Sequence, residues 1–111
     1  MAENDDSKKG DETRFNLLEI LQNPERFDPG RVVITPSALQ SLMAHDIVLG
    51  LARHVRGDWG MLDDADRLEN DRALAEGDRL LSAYRSPAGT RYWIITEWDR
   101  STTTVLLPED Y

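Results

Sequence analysis

Residues 54–71 read HVRGDWGMLDDADRLEND, and this stretch decides how the chain is assembled. Gly57 and Gly60 permit the left-handed backbone that ends a helix or tightens a turn. Asp58 can bond to nearby backbone amides, while Trp59 can pack into the core and offer its N–H to a carbonyl. A protonated His54 would suit the last turn of a helix. We therefore predict a structural joint between two helices, built from these five residues.

Capping chemistry predicts three helices around this joint. Thr35 offers a capping hydroxyl, and Pro36 is favoured at the first helical position. Asp46 is predicted to cap a second helix, which Gly57 ends. Asp63 or Asp64 is predicted to cap a third helix, which Gly77 ends, and Leu68 and Leu74 of this helix are predicted to contact the core.

The periodicity changes from helix to strand after residue 78. Three segments rich in β-formers, RLLSAYR, TRYWIITEW and TTTVLL, are separated by the turn sequences SPAG and DRS. A further strand is predicted at residues 31–35, RVVIT. The predicted fold class is α+β: an N-terminal strand, two to three helices, then a three-stranded antiparallel meander with helices packed on one face.

Length and composition define the class of protein. A chain of 111 residues forms one domain, with residues 1–12 expected as a disordered acidic tail and residues 13–111 as the folded part. Cysteine is absent, which excludes disulfides and thiolate metal sites. No apolar run approaches the roughly 20 residues of a membrane span, so we expect a cytoplasmic protein. No metal site or cofactor is predicted.

The formal net charge of −8 is unevenly distributed, with eight acids and two arginines in residues 58–78. An acidic surface repels phosphates, so direct DNA binding is disfavoured. The expected partner is another protein, and the oligomeric state is left open. The candidate partner-binding residues are acids of this segment and two tryptophans of the meander: Asp63, Asp64, Asp66, Trp93 and Trp98.

Catalysis is the alternative role for the polar residues. A histidine titrates near neutrality and could act as a general acid or base at His54, with Asp58 orienting its ring. Arginines on a sheet could hold a phosphodiester in its transition state, or could pair with carboxylates across strands. No catalytic residue is assigned, and an enzyme is disfavoured. The candidates are His54, Arg85, Arg91, Thr96 and Arg100.

Two blocks, HxxGDWG and ITExDRSxTTxLLPExY, resemble a family of small uncharacterised bacterial proteins labelled "plasmid-related". Some members are labelled as subunits of a type I restriction–modification methyltransferase. The resemblance covers residues 31–111 and implies a bacterial protein associated with mobile DNA. It does not extend to methyltransferase activity, because the chain lacks a glycine-rich loop for S-adenosylmethionine.

Three functions follow from these observations. The favoured one is a non-enzymatic, protein-binding accessory or regulator. The second is a metal-independent RelE-like ribonuclease or toxin, suggested by the layout of a strand, helices and a terminal meander, although such toxins are generally basic. The third is an inhibitor that mimics nucleic acid and blocks a restriction or defence enzyme through its acidic segment.

Overall fold

The computed structural model of the protein describes residues 17–111, which form a mixed α+β fold. The predicted tail at residues 1–12, and the predicted start of the domain at residue 13, lie outside the described residues. The elements follow in the order α1 (Leu17–Leu21), β1 (Arg31–Ile34), α2 (Pro36–Ser41), α3 (Ala44–His54), α4 (Asp64–Glu76), β2 (Leu80–Arg85), β3 (Arg91–Thr96), β4 (Thr102–Leu106) and a 3₁₀ helix (Pro108–Asp110).

The strands form one four-stranded mixed sheet in the order β1-β4-β3-β2. The strands β2, β3 and β4 pair antiparallel in sequence order, as the turn chemistry predicts. The prediction of a separate three-stranded meander is nevertheless incomplete, because β1 joins β4 in parallel. Backbone bonds from Arg31 N to Ser101 O (2.9 Å) and from Thr35 N to Val105 O (3.0 Å) fix this pairing. It satisfies the backbone groups on the edge of β4 that the meander leaves open.

Helix boundaries follow local capping chemistry at most of the predicted positions. The Thr35 hydroxyl accepts the amide of Ala38 (3.2 Å) at the start of α2. Asp63 caps α4, and Gly77, with φ of 80°, ends it. The prediction that Asp46 caps a helix is wrong. Helix α3 begins two residues earlier, and the Asp46 carboxylate instead accepts the amide of Met43 (3.0 Å) from inside the first turn.

Two apolar clusters lie on one face of the sheet. The larger cluster joins α2 and α3 to the middle strands, and it includes Tyr84, Tyr92, Ile94 and Leu42. The smaller cluster, centred on Trp59, joins the end of α4 to Leu80.

The expected core contact of Leu68 is wrong, because that side chain is 70% exposed, whereas Leu74 packs against the smaller cluster as predicted. Helix α4 buries Asn70 and Ala73 instead of a leucine stripe. It is therefore attached to the sheet largely by polar contacts.

The opposite face of the sheet carries C-terminal residues. The Tyr111 ring lies edge-on to Trp93, with ring centroids 5.7 Å apart. Arg79 donates to the Tyr111 hydroxyl (2.8 Å) and places its guanidinium over the ring. Within residues 17–111, no helix is long and apolar enough to cross a lipid bilayer.

Candidate functional site

The imidazole of His54 lies at the centre of a buried chain of hydrogen bonds. Its Nδ1 is 2.5 Å from the Ser82 hydroxyl, and its Nε2 is 2.8 Å from the Thr96 hydroxyl. Thr96 in turn contacts the Thr103 hydroxyl (2.7 Å), which donates to the carbonyl oxygen of Pro29 (2.7 Å). The four side chains are completely buried. The network therefore joins α3 to β2, β3 and β4 and to the loop before β1.

The Pro29 carbonyl determines the direction of every proton in this network. It can only accept, so the Thr103 proton is committed to it and the Thr103 oxygen must accept from Thr96. The Thr96 oxygen then accepts from His54 Nε2–H. This tautomer leaves Nδ1 as the acceptor for the Ser82 hydroxyl. A neutral imidazole thus has both nitrogens occupied, with no donor or acceptor left for a substrate.

Burial and a nearby cation both oppose protonation of His54. Removal of the ring from water disfavours its charged form, and the guanidinium of Arg100 adds repulsion. Together they lower the pKa of His54 from 6.5 to about 3. The last turn of α3 would favour a charged ring, but desolvation dominates at this position, so the imidazole is neutral.

The aromatic rings of Phe27 and Trp59 enclose the imidazole. Phe27 lies 5.3 Å from it and Trp59 5.8 Å, both edge to face. The indole N–H of Trp59 donates to the carboxylate of Asp71 (3.0 Å), and not to a carbonyl as expected. This bond joins the joint to the middle of α4. The first and last residues of the stretch at 54–71 therefore belong to one packed unit.

Asp58 fixes the turn that follows α3. Its carboxylate accepts two bonds from the Arg53 guanidinium (2.7 and 3.2 Å) and one from the amide of Gly60 (3.2 Å). Both ring nitrogens of His54 bond to the Ser82 and Thr96 hydroxyls, so Asp58 does not orient the imidazole as proposed. Gly57 and Gly60 have φ of 79° and 76°, as the turn prediction requires. A Cβ on Gly60 would lie 2.1 Å from the Ala83 carbonyl oxygen, so only glycine fits there.

The same stretch closes the outer edge of β2. Ala83 donates to the Trp59 carbonyl (3.2 Å) and accepts from the Met61 amide (2.7 Å), which forms an isolated parallel bridge. The Asn70 side chain pairs with both backbone groups of Leu81, at 3.2 Å to its N and 2.5 Å to its O. A side-chain amide thus replaces a neighbouring strand and covers an edge that would otherwise be open to aggregation.

Two of the three arginines proposed for catalysis, Arg85 and Arg91, lie away from His54. Arg85 and Arg91 are direct partners across β2 and β3, and both are exposed. Side chains alternate between the two faces along a strand, so Arg91 and Thr96, five residues apart, point to opposite faces of β3. Thr96 lies beside His54, whereas Arg85 and Arg91 lie on the other side of the sheet. The structure therefore brings together His54 and Thr96 but not the two arginines.

Arg100 fastens α4 to the sheet. It occupies the β3–β4 turn with φ of 61°, a left-handed conformation that is uncommon outside glycine. Its guanidinium donates to the carbonyl oxygens of Ala73 (3.1 Å) and Asp78 (2.6 Å), at and just after the end of α4. A cation at this position also suits the negative end of the helix dipole. These contacts account for the residue without a substrate.

The candidate partner-binding residues lie in three places. Asp64 and Asp66 are exposed at the start of α4, and Asp63 is its capping residue. Trp93 is partly covered by Tyr111, whereas Trp98 is exposed in the β3–β4 turn.

A shallow cavity of about 280 Å³ lies between α4 and β2, lined by Leu62, Asp66, Glu69, Asn70, Arg79 and Leu81. The described residues contain no group of three or more acids or histidines placed to hold a metal ion.

Ser82, Thr103 and Asn70 contribute to this arrangement without having been proposed from the sequence. Ser82 and Thr103 share the buried sheet face with Leu80, Tyr84 and Val105. In both strands every second side chain is predicted to be buried, and a polar residue stands at one of these buried positions. This was the signal in the sequence that could have identified Ser82 and Thr103. No family model matches the chain, and no curated protein or solved structure shows significant similarity to it.

Proposed function

We propose that this chain is a non-enzymatic accessory or regulator that binds a basic protein partner through the exposed acidic face of α4. The single observation that carries the proposal is the segregation of charge. Residues 58–78 contain eight acids and two arginines, whereas the rest of residues 17–111 contains eight of each. The excess negative charge of the described chain is thus concentrated on one helix and the turns that flank it.

The attachment of α4 supports this proposal. Polar contacts through Asn70, Asp71 and Arg100 hold the helix in a fixed orientation against the sheet. Its outer surface combines the carboxylates of Asp64 and Asp66 with an exposed Leu68. A rigid surface of this composition favours a cationic partner, since complementary charge speeds encounter and excludes wrong partners.

The resemblance to plasmid-related proteins extends the proposal to a cytoplasmic role beside mobile DNA. Mimicry of nucleic acid would use the same acidic surface, and the identity of the partner distinguishes the two cases: a mimic competes with DNA or RNA for the partner's binding site. The ribonuclease alternative gains no support from the geometry, because His54 is buried and Arg85 and Arg91 lie on the other face of the sheet.

The test is capture of a partner from a bacterial lysate with matched charge variants as bait. Wild-type protein is compared with D64N/D66N and with E25Q/E109Q, which removes the same charge elsewhere. Wild type and E25Q/E109Q should retain a basic partner, whereas D64N/D66N should lose it, as should wild type at high salt. Equal capture by the three baits, or no stoichiometric partner, would contradict the proposal.

A further inference from the structure

The two edges of the sheet differ in how their backbone groups are satisfied. The outer edge of β2 is closed by Asn70 and residues 59–61. In the parallel pairing of β1 with β4, Arg31 and Thr35 direct their amides to β4. By the alternation of a strand, Val32 and Ile34 direct their N–H and C=O groups outward. Within the described part of the chain, no strand pairs with this edge.

The open edge is also apolar. Val32 and Val33 are 41% and 37% exposed. Apart from Arg31 at its first position, the strand contains no charge, proline or bulge, which are among the devices with which proteins discourage pairing at an edge. Its neighbours Pro29 and Pro36 limit it to a short segment. The edge therefore suits one extended partner of matching length.

We propose that two copies of this chain pair antiparallel through β1 and join their sheets into one of eight strands. The outward backbone groups fix the register. They belong to residues 32 and 34, and pairing Val32 of one copy with Ile34 of the other uses all of them, whereas a register that places Val32 opposite Val32 or Ile34 opposite Ile34 forms only one such pair within the strands. The register of Val32 with Ile34 forms four backbone hydrogen bonds and places Val33 opposite Val33 on the twofold axis.

The side chains agree with the register that the backbone requires. Each of the three opposing pairs joins two β-branched residues, the type that packs best across strands. The two copies of Arg31 lie at opposite ends of the pairing, about 13 Å apart along the strands at roughly 3.3 Å per residue, so like charges do not meet.

The distribution of charge selects a second copy despite the net charge of −8 on each chain. The acidic helix α4 lies beside β2, at the edge of the sheet opposite β1. Pairing through β1 therefore keeps the two acidic helices at the far ends of the joined sheet. In a twofold contact each copy pairs its β1 edge with that of the other copy, so no open β1 edge remains and the assembly stops at a dimer.

Disulfide trapping tests the register directly, because the chain has no cysteine of its own. Val33→Cys should form a covalent dimer under mild oxidation, since directly opposed residues of a non-hydrogen-bonded pair meet the distance limits of a disulfide. Val32→Cys is offset by two residues from its copy, and Val48→Cys lies on α3, so both should crosslink at least tenfold more slowly. Equal rates in the three variants would overturn the proposal.

Sedimentation equilibrium tests the assembly without a crosslink. Wild type should show a reversible change from 12.6 kDa to twice that mass as concentration rises. Val33→Lys should weaken the dimer about tenfold or more by opposing two cations, whereas Val48→Lys should leave it unchanged. The amides of Val32 and Ile34 should exchange slowly only in the dimer. A wild-type monomer at millimolar concentration refutes the proposal, and slow exchange in that monomer would show that the edge is covered within one chain.

Discussion

Replacement of Thr96 by valine is the sharpest test of the buried network. The substitution keeps the shape of the side chain and removes one hydroxyl. That hydroxyl accepts from His54 Nε2–H (2.8 Å) and donates to Thr103 (2.7 Å). Its loss leaves the imidazole N–H buried without an acceptor, while Thr103 retains its bond to the Pro29 carbonyl. An unsatisfied buried donor costs about 1–3 kcal/mol, and a lost hydrogen bond about 1 kcal/mol.

The expected loss in the free energy of unfolding is therefore about 2–4 kcal/mol. Urea unfolding at pH 7.5, followed by tryptophan fluorescence, measures it, and the midpoint should fall with little change in slope. Thr104→Val is the matched control on the same strand pair, because Thr104 is half-buried outside the network, and it should change stability by less than about 0.5 kcal/mol. If Thr96→Val costs no more than this control, the network does not stabilise the fold.

Three further predictions follow from the same contacts. Burial lowers the pKa of His54 from 6.5 to about 3. Between these two pH values the imidazole is protonated in the unfolded chain but neutral in the folded chain. This contribution to stability is intact above pH 6.5 and falls with decreasing pH, by about 2 kcal/mol between pH 7.5 and 5, and His54→Asn should lack this dependence. Asn70→Ala should speed amide exchange at Leu81 at least tenfold, because both backbone groups lose their partner; unchanged exchange would show that the edge is closed by other means. Gly60→Ala should destabilise by at least about 2 kcal/mol more than Gly77→Ala, because both glycines are left-handed but only the first faces a backbone oxygen within 2.1 Å of the new Cβ; equal losses in urea unfolding would contradict this explanation.

Local signals predicted the parts of the fold that depend on neighbouring residues. Thr35, Asp63 and Gly77 act at helix ends through bonds within four residues, so their roles can be recognised in the sequence. The turns between β2, β3 and β4 likewise fix an antiparallel order from short loops. The α+β class follows from these two kinds of signal.

Contacts between distant residues could not be predicted in the same way. The pairing of β1 with β4 joins segments about 70 residues apart, and a parallel pairing has no turn to announce it. Leu68 has the spacing of a core residue, but α4 packs through Asn70 and Ala73 instead. A helix fixed by polar contacts does not need an apolar stripe, so hydrophobic spacing misleads there.

The candidate site shows both the use and the limit of sequence patterns. Strand parity alone separates Arg91 from Thr96, so the sequence already contained an argument against a single catalytic surface. The partners of His54 depend on three strands meeting at one point, and only the folded chain reveals them.

The state of the His54 ring is the most direct test of the central claim, that this side chain is consumed in joining α3 to the sheet. Nitrogen-15 and carbon-13 chemical shifts of the imidazole report its tautomer and its pKa in the intact protein. A neutral Nε2–H tautomer that persists from pH 8 down to about pH 4 is the predicted result. A ring that titrates near pH 6.5, or that carries its proton on Nδ1, would contradict it.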